Sequence, residues 1–294
     1  MTILLAFPMN DNQTGLAIED AFKKLGYDVV TVDAQTQQGD LYTTCERHDG
    51  KFELCLTSRT MELYEEVQQI KINYPHIKTA IWNTDVRGSL EEWGQFMQFV
   101  MSVDYYFVVA NGVVDRWKAL QPNTYWLPQG IQEERYHRIE NVPKKYDVGF
   151  IGSVTPHIHT ERTELLAELL YAEGIDFHWY QGVWDEEHNR AVGECRINLA
   201  CSAYPEIDTC FSVRDWKIIG AGGILLERHH PGIKKFFGGK VETYNDSSDC
   251  VRECRRILSN YDECSERAVE LYEWAIGSQT YKHRIEKLME VISA

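Results

Sequence analysis

The chain has 294 residues, 44% of them hydrophobic and 26% charged, a balance that excludes a disordered or fibrous protein and suits two domains of ordinary size. A formal net charge of −15 argues against general attraction to nucleic acid or to an anionic membrane surface. The longest apolar stretches, around 108–110 and 224–226, are strand-sized, and no basic region precedes the strand-like opening. Neither a membrane span nor a cleavable leader is therefore expected, and a cytoplasmic location is.

In chain order, residues 2–7 read as a strand and 15–25 as an amphipathic helix closed by Gly26, with a β-branched strand at 28–32. A strand at 52–56, a helix over 60–72, a strand at 77–82 and a helix over 89–102 follow. A strand at 105–110, a short helix to Leu120 and a strand at 124–127 complete the first half. Such alternation predicts a parallel sheet covered on both faces. Pro128-Gln129-Gly130 breaks the rhythm, and the polar stretch to Lys145 reads as a linker. The pattern then restarts with strands at 146–151, 175–180, 196–200 and 224–227 and helices over 160–173 and 213–221. Helices at 248–259, 262–276 and 279–293 end the chain. The expected architecture is α/β, with two Rossmann-like domains, 1–130 and 131–278, whose parallel sheets face a central cleft, and a terminal segment 279–294 able to cross back to the first domain. Ligands are expected at the carboxyl ends of the strands.

The eight cysteines are scattered without a C-x-x-C pair. Cys250 and Cys254 lie one helical turn apart but lack a partner pair at zinc spacing, so reduced, buried thiols are expected. His157 and His159, like His229 and His230, also lack a third ligand at zinc spacing. No G-x-G-x-x-G fingerprint or P-loop occurs, which counts against a nicotinamide enzyme. No two aspartates are spaced as D-x-D, so no metal is expected at the site.

The strongest local signal is the run from Phe211 to Leu226, FSVRDWKIIGAGGILL. It reads as loop, helix, double glycine and buried strand. A helix beginning at Ser212 would turn free N–H groups toward a phosphate, Arg214 would add a bidentate clamp, and Gly222-Gly223 would allow the turn into the strand. The same pattern equally describes an ordinary helix–strand connection with a surface arginine. Gly152-Ser153 follows a strand and offers either backbone donors for a diphosphate or a plain turn. Asp85, in Trp82-Asn83-Thr84-Asp85, ends a strand of the first half, where a carboxylate either deprotonates an acceptor hydroxyl or caps the next turn. The loop from Asn10 to Gly15 is a second candidate for the acceptor side. Trp179, Tyr180 and Trp184 around Gly182 offer stacking faces or serve as core and rim. Lys144-Lys145 and Lys234-Lys235 with Lys240 suit a basic groove or solvated surface.

The 211–226 segment resembles the donor-site helix of the CgeB-type (spore-maturation-like) group 1 glycosyltransferases, in which an arginine, an aromatic, an acidic residue and a glycine turn run in this order. Further pieces match in sequence: DVGFIGS at 147–153 with Arg162 downstream, RINL at 196–199, and YKHR at 281–284. The Trp82–Asp85 segment resembles that family's Trp-x-x-Asp. The resemblance covers the chain from about residue 100 to the end. It implies a GT-B fold and metal-independent transfer of a glycosyl group from a nucleoside-diphosphate sugar, UDP-linked by default, to an acceptor hydroxyl. No cofactor beyond the donor is implied. The acceptor class stays open among glycans, small molecules, proteins and modified nucleic-acid bases.

Under that resemblance Gly152, Ser153, Ser212, Arg214, Lys217, Gly222 and Gly223 bind the donor, and Asp85 and Arg214 act in catalysis. The chain departs from the family at Lys217, where relatives carry a glutamate associated with holding the donor. That departure motivates a rival reading as a non-catalytic sugar-nucleotide-binding protein. A sugar-nucleotide epimerase on the same fold is a third reading.

Overall fold

The computed structural model describes residues 1–10, 14–37, 39–85, 94–154 and 160–294. The chain divides into two compact units, Met1–Gln129 with Tyr281–Ala294, and Gly130–Thr280.

In the first unit six strands form one parallel sheet: β1 (Thr2–Phe7), β2 (Asp28–Asp33), β3 (Leu54–Thr57), β4 (Lys78–Asn83), β5 (Tyr105–Val108) and β6 (Thr124–Trp126), in the order β2-β1-β3-β4-β5-β6. Ile3, Leu4, Leu5 and Ala6 have no exposed surface, because a parallel strand with helices on both faces has no solvent side. Helices α1 (Thr14–Lys24), α2 (Asp40–Arg47), α3 (Tyr64–Asn73), α4 (Gly94–Ser102) and α5 (Val114–Lys118) make the connections. The chain direction across the sheet reverses between β1 and β3, so the carboxyl ends of these two strands form the switch point where ligands of open α/β sheets bind.

The second unit carries β7 (Tyr146–Ile151), β8 (Phe177–Tyr180), β9 (Cys195–Leu199), β10 (Leu225–Arg228) and β11 (Glu242–Tyr244), all parallel, in the order β11-β10-β9-β7-β8. Its helices are α6 (Thr160–Leu170), α7 (Asp185–Glu194), α8 (Val213–Gly220), α9 (Ile233–Phe236), α10 (Ser247–Ser259) and α11 (Tyr261–Ser278). Here the switch point lies between β7 and β9.

The terminal helix α12 (Tyr281–Ser293) belongs to the first unit. Tyr281, Ile285, Leu288, Met289 and Ile292 recur at helical spacing and are buried with Ile18 and Phe22 of α1. Arg284, on the same face, donates from Nε to the Gln129 carbonyl at 3.1 Å, and Trp82 Nε1 donates to the Leu127 carbonyl at 3.0 Å.

All eight cysteines are buried and unbridged. Among the described residues no helix is long and apolar enough to cross a membrane.

Candidate functional site

The loop leaving β9 ends at Ser212, the N-cap of α8. Asp215, three residues on, accepts from the Ser212 backbone N–H at 2.8 Å and from its hydroxyl at 3.0 Å, so sequence alone fixes where this helix begins. Trp216, with no exposed surface, seats the helix on Phe211 and Phe237, with ring centroids 5.8 and 5.7 Å away. This rigid backing carries Arg214 to the end of β7. There its Nε donates to the Ile151 carbonyl at 2.9 Å and its guanidinium lies 4.9 Å from the centroid of the Phe150 ring.

The next residue, Gly152, has φ +151°, and a Cβ added there would stand 2.6 Å from an Arg214 terminal nitrogen. Only glycine lets the guanidinium lie against this turn. Arg162, from α6, approaches from the other side, donating to the Ser153 carbonyl at 3.3 Å and facing the same Phe150 ring at 5.9 Å. Its Nε is buried without a hydrogen-bond partner among the described residues. Burial, and then the neighbouring Arg162, lower the Arg214 pKa below the ordinary guanidinium value. Two guanidinium groups thus converge on a glycine turn at the β7 end of the switch point.

Lys217 lies one turn further along α8. Its ammonium sits between two rings, 4.6 Å from the Tyr136 centroid and 4.7 Å from that of Trp184, with no carboxylate paired to it among the described residues. Burial, with Arg135 and Arg214 nearby, pushes its pKa down to about 8. Behind Tyr136, at a centroid distance of 5.1 Å, His188 is buried and neutral, its pKa pushed down to about 3 by burial and then by Lys217. Under α8 the fully buried Glu227 accepts from the backbone N–H groups of Ser202 and Arg228, both at 2.7 Å. Burial, with Asp215 beside it, raises its pKa well above the carboxylate range. Three cations standing together in a low-dielectric setting are suited to bind a polyphosphate.

In the first unit Asp85 follows β4. Its backbone N–H donates to Asn83 Oδ1 at 3.1 Å, and Asn83 Nδ2 donates to the buried Tyr106 hydroxyl at 2.9 Å. The carboxylate pairs with Arg59, from the loop after β3, at 2.5 Å, and 58% of the side chain is exposed. The site so formed lies at the carboxyl ends of β3 and β4, beside that sheet's switch point.

Of the residues singled out in the sequence, the structure brings Gly152, Ser153, Arg214 and Lys217 into one neighbourhood. It does not bring Gly222 and Gly223 there. They stand past the C-terminal end of α8, roughly 12 Å of helix from Ser212 at 1.5 Å per residue. Gly222 has φ +72°, and added Cβ atoms would meet Arg138 at Gly222 and Val192 and Asn198 at Gly223. Both belong to the turn that leads from α8 into β10. Ser212 donates its hydroxyl to Asp215. Trp179 Nε1 donates to the Gly152 carbonyl at 2.7 Å, and Tyr180 donates to Glu194 at 2.8 Å. Lys145 pairs with Glu194 and Lys240 with Glu270, and Lys144 donates to the Cys195 carbonyl. His157, His159, Asp11, Asn12, Gln13, Val86 and Arg87 lie outside the described residues. Among the described residues no group of three or more His, Cys, Asp or Glu side chains is placed to hold a metal ion.

Residues 160–290 match the model of a family described as glycosyl transferase-like. No curated protein matches the chain in sequence. Solved structures resemble it over their full extent. Sucrose-phosphate synthase from Thermosynechococcus elongatus superposes with a TM-score of 0.69 at 10% identity, over 99% of this chain and 98% of that one. HepE of Anabaena in complex with UDP-glucose gives 0.67 at 10% identity, over 100% and 99%. The T4 phage β-glucosyltransferase in complex with its UDP-glucose substrate gives 0.66 at 10% identity, over 100% of both chains. The fold is therefore that of the GT-B glycosyltransferases, two Rossmann-like units each built on a parallel sheet.

Proposed function

We propose that the protein is a metal-independent glycosyltransferase that moves a sugar from a nucleoside-diphosphate donor, UDP-linked by default, to an acceptor hydroxyl. The observation that carries this reading is the convergence of Arg162 and Arg214 on the Gly152–Ser153 turn, at the switch point of the unit that holds the glycosyl transferase-like match. Sugar transfer leaves a diphosphate with one more negative charge than the donor had. Preorganised cations that strengthen as that charge develops lower the barrier. Backbone groups of Gly152 and Ser153, the two guanidinium groups and the Lys217 ammonium are assigned to the diphosphate. Asp85 is assigned to the acceptor hydroxyl proton. UDP-glucose bound to HepE and to the T4 enzyme supports the default nucleotide.

The direct test is turnover of a panel of nucleotide sugars by the purified protein, with acceptors screened by mass spectrometry. Donor consumption without any acceptor, giving an isomeric sugar nucleotide, would instead identify an epimerase. With three cations to neutralise the leaving group, excess EDTA is expected to leave transfer nearly unchanged. A large loss restored by Mn²⁺ or Mg²⁺ rejects the metal-independent assignment.

The Lys217 assignment predicts a pH dependence. Lys217 carries its charge below a pKa of about 8, and a bound phosphate raises that pKa by favouring the charged form. UDP affinity is thus full below about pH 8 and declines as pH rises through it. Calorimetric titrations from neutral to alkaline pH should show this decline in the wild type, and Lys217→Arg should flatten it. An identical decline in Lys217→Arg would remove Lys217 from the phosphate site.

A further inference from the structure

The loop between β8 and α7 is built around a strained corner. Asp185 has φ +51°, in the left-handed region that a residue with a side chain seldom occupies, and it persists because its surroundings over-determine it. Arg135 grips its carboxylate with two hydrogen bonds, at 2.5 and 2.8 Å. The fully buried Asn189 donates to the Arg135 carbonyl at 2.8 Å, fastening the arginine's own backbone. What the corner fixes is the residue before it, Trp184, the N-cap of α7.

Trp184 is held with the Lys217 ammonium 4.7 Å from its ring centroid, yet 41% of the residue remains exposed. A large aromatic side chain is thereby kept at the surface, pinned by a cation rather than packed into the core. Its place relative to the phosphate site is set by α8. Arg214 and Lys217 are three residues apart and so neighbours on the helix surface, and Trp184 in turn lies against Lys217. Phosphate, sugar and base of a nucleotide follow one another in that order. Trp179 does not meet the same requirement: its indole N–H is bonded to the Gly152 carbonyl, at the phosphate turn itself.

We propose that Trp184 is the platform on which the nucleobase of the donor stacks. The assignment rests on the nucleoside-diphosphate donor proposed above and adds to it the part of the protein that meets the base. Stacking uses the π-face that every base possesses, so Trp184 contributes to purine and pyrimidine nucleotides alike.

The test compares ligands with and without a base on the full-length chain, by calorimetric titration of UDP, ADP and inorganic pyrophosphate. Trp184→Ala is expected to weaken UDP and ADP by on the order of 10- to 100-fold. Pyrophosphate binding should stay at the wild-type value, and Trp184→Phe should keep most of the nucleotide affinity. Unchanged UDP affinity in Trp184→Ala overturns the proposal. So does an equal loss for pyrophosphate, which would mean that Trp184 acts only by holding Lys217. Wild-type protein that binds pyrophosphate as tightly as UDP also overturns it, while leaving the phosphate site standing. If the wild type binds neither ligand, the donor reading falls and takes this inference with it.

Discussion

Replacing Arg214 with alanine is expected to lower kcat/KM for transfer by roughly two to three decades, with the fold retained. The magnitude follows from the environment. A charge-assisted clamp that strengthens as the diphosphate leaves contributes about 2–4 kcal/mol to the transition state, and each 1.36 kcal/mol corresponds to about a factor of ten. Among the described residues Arg214 is fastened by a hydrogen bond to the Ile151 carbonyl and by the Phe150 ring. The capping box and Trp216 seat α8 without it. Arg214→Lys keeps the charge but loses the fork, so it should restore only part of the rate. Arg162→Ala should act in the same direction, and the double variant should lose less than the sum of the two, because both cations serve one anion. Steady-state kinetics with circular dichroism of each variant decide the matter. Wild-type kinetics in Arg214→Ala would leave the arginine as no more than a fastening for the end of β7.

The long, buried strands are what made this chain readable. The apolar run from Ile3 to Phe7 predicts β1, because a parallel strand buried on both faces is written as continuous hydrophobicity, and the segment 146–151 predicts β7 to the residue. Elements whose buried residues are polar or few escape the same reading. Helix α7 buries His188, Asn189, Ala191 and Val192 in an otherwise charged sequence, so it carries no apolar stripe. Helix α2 buries only Leu41 and Cys45, and β11 is three residues long.

The site divides along the same line. Arg214 was legible because Ser212, Asp215 and the helix they begin are contiguous. The meeting of Arg162, Gly152 and Arg214 was not, since these are ten and sixty-two residues apart and only the strand order β8-β7-β9 joins them. The Arg59–Asp85 pair is hidden for the same reason, being made by the adjacency of β3 and β4. Gly222-Gly223 was legible as the turn into β10, which follows the C-terminal end of α8 directly in sequence.

Asp85→Asn is expected to reduce kcat by on the order of 10²- to 10⁴-fold, the usual contribution of a positioned general base, while leaving UDP affinity unchanged. The proposed base is a carboxylate open to solvent. It is at a strand's carboxyl end, largely exposed to an incoming hydroxyl, and its backbone is set by Asn83, which the buried Tyr106 hydroxyl anchors in turn. Asparagine preserves the size and the turn but cannot take a proton, so the substitution separates chemistry from capping. The split between kcat and donor binding is the informative readout, because a general base acts on the acceptor proton and not on the diphosphate. Arg59→Ala frees the carboxylate of its partner and is expected to lower kcat less than Asp85→Asn, through loss of orientation alone. Near wild-type turnover in Asp85→Asn would mean that the residue only caps the turn after β4, and the acceptor proton would then have to leave through another group of the first unit.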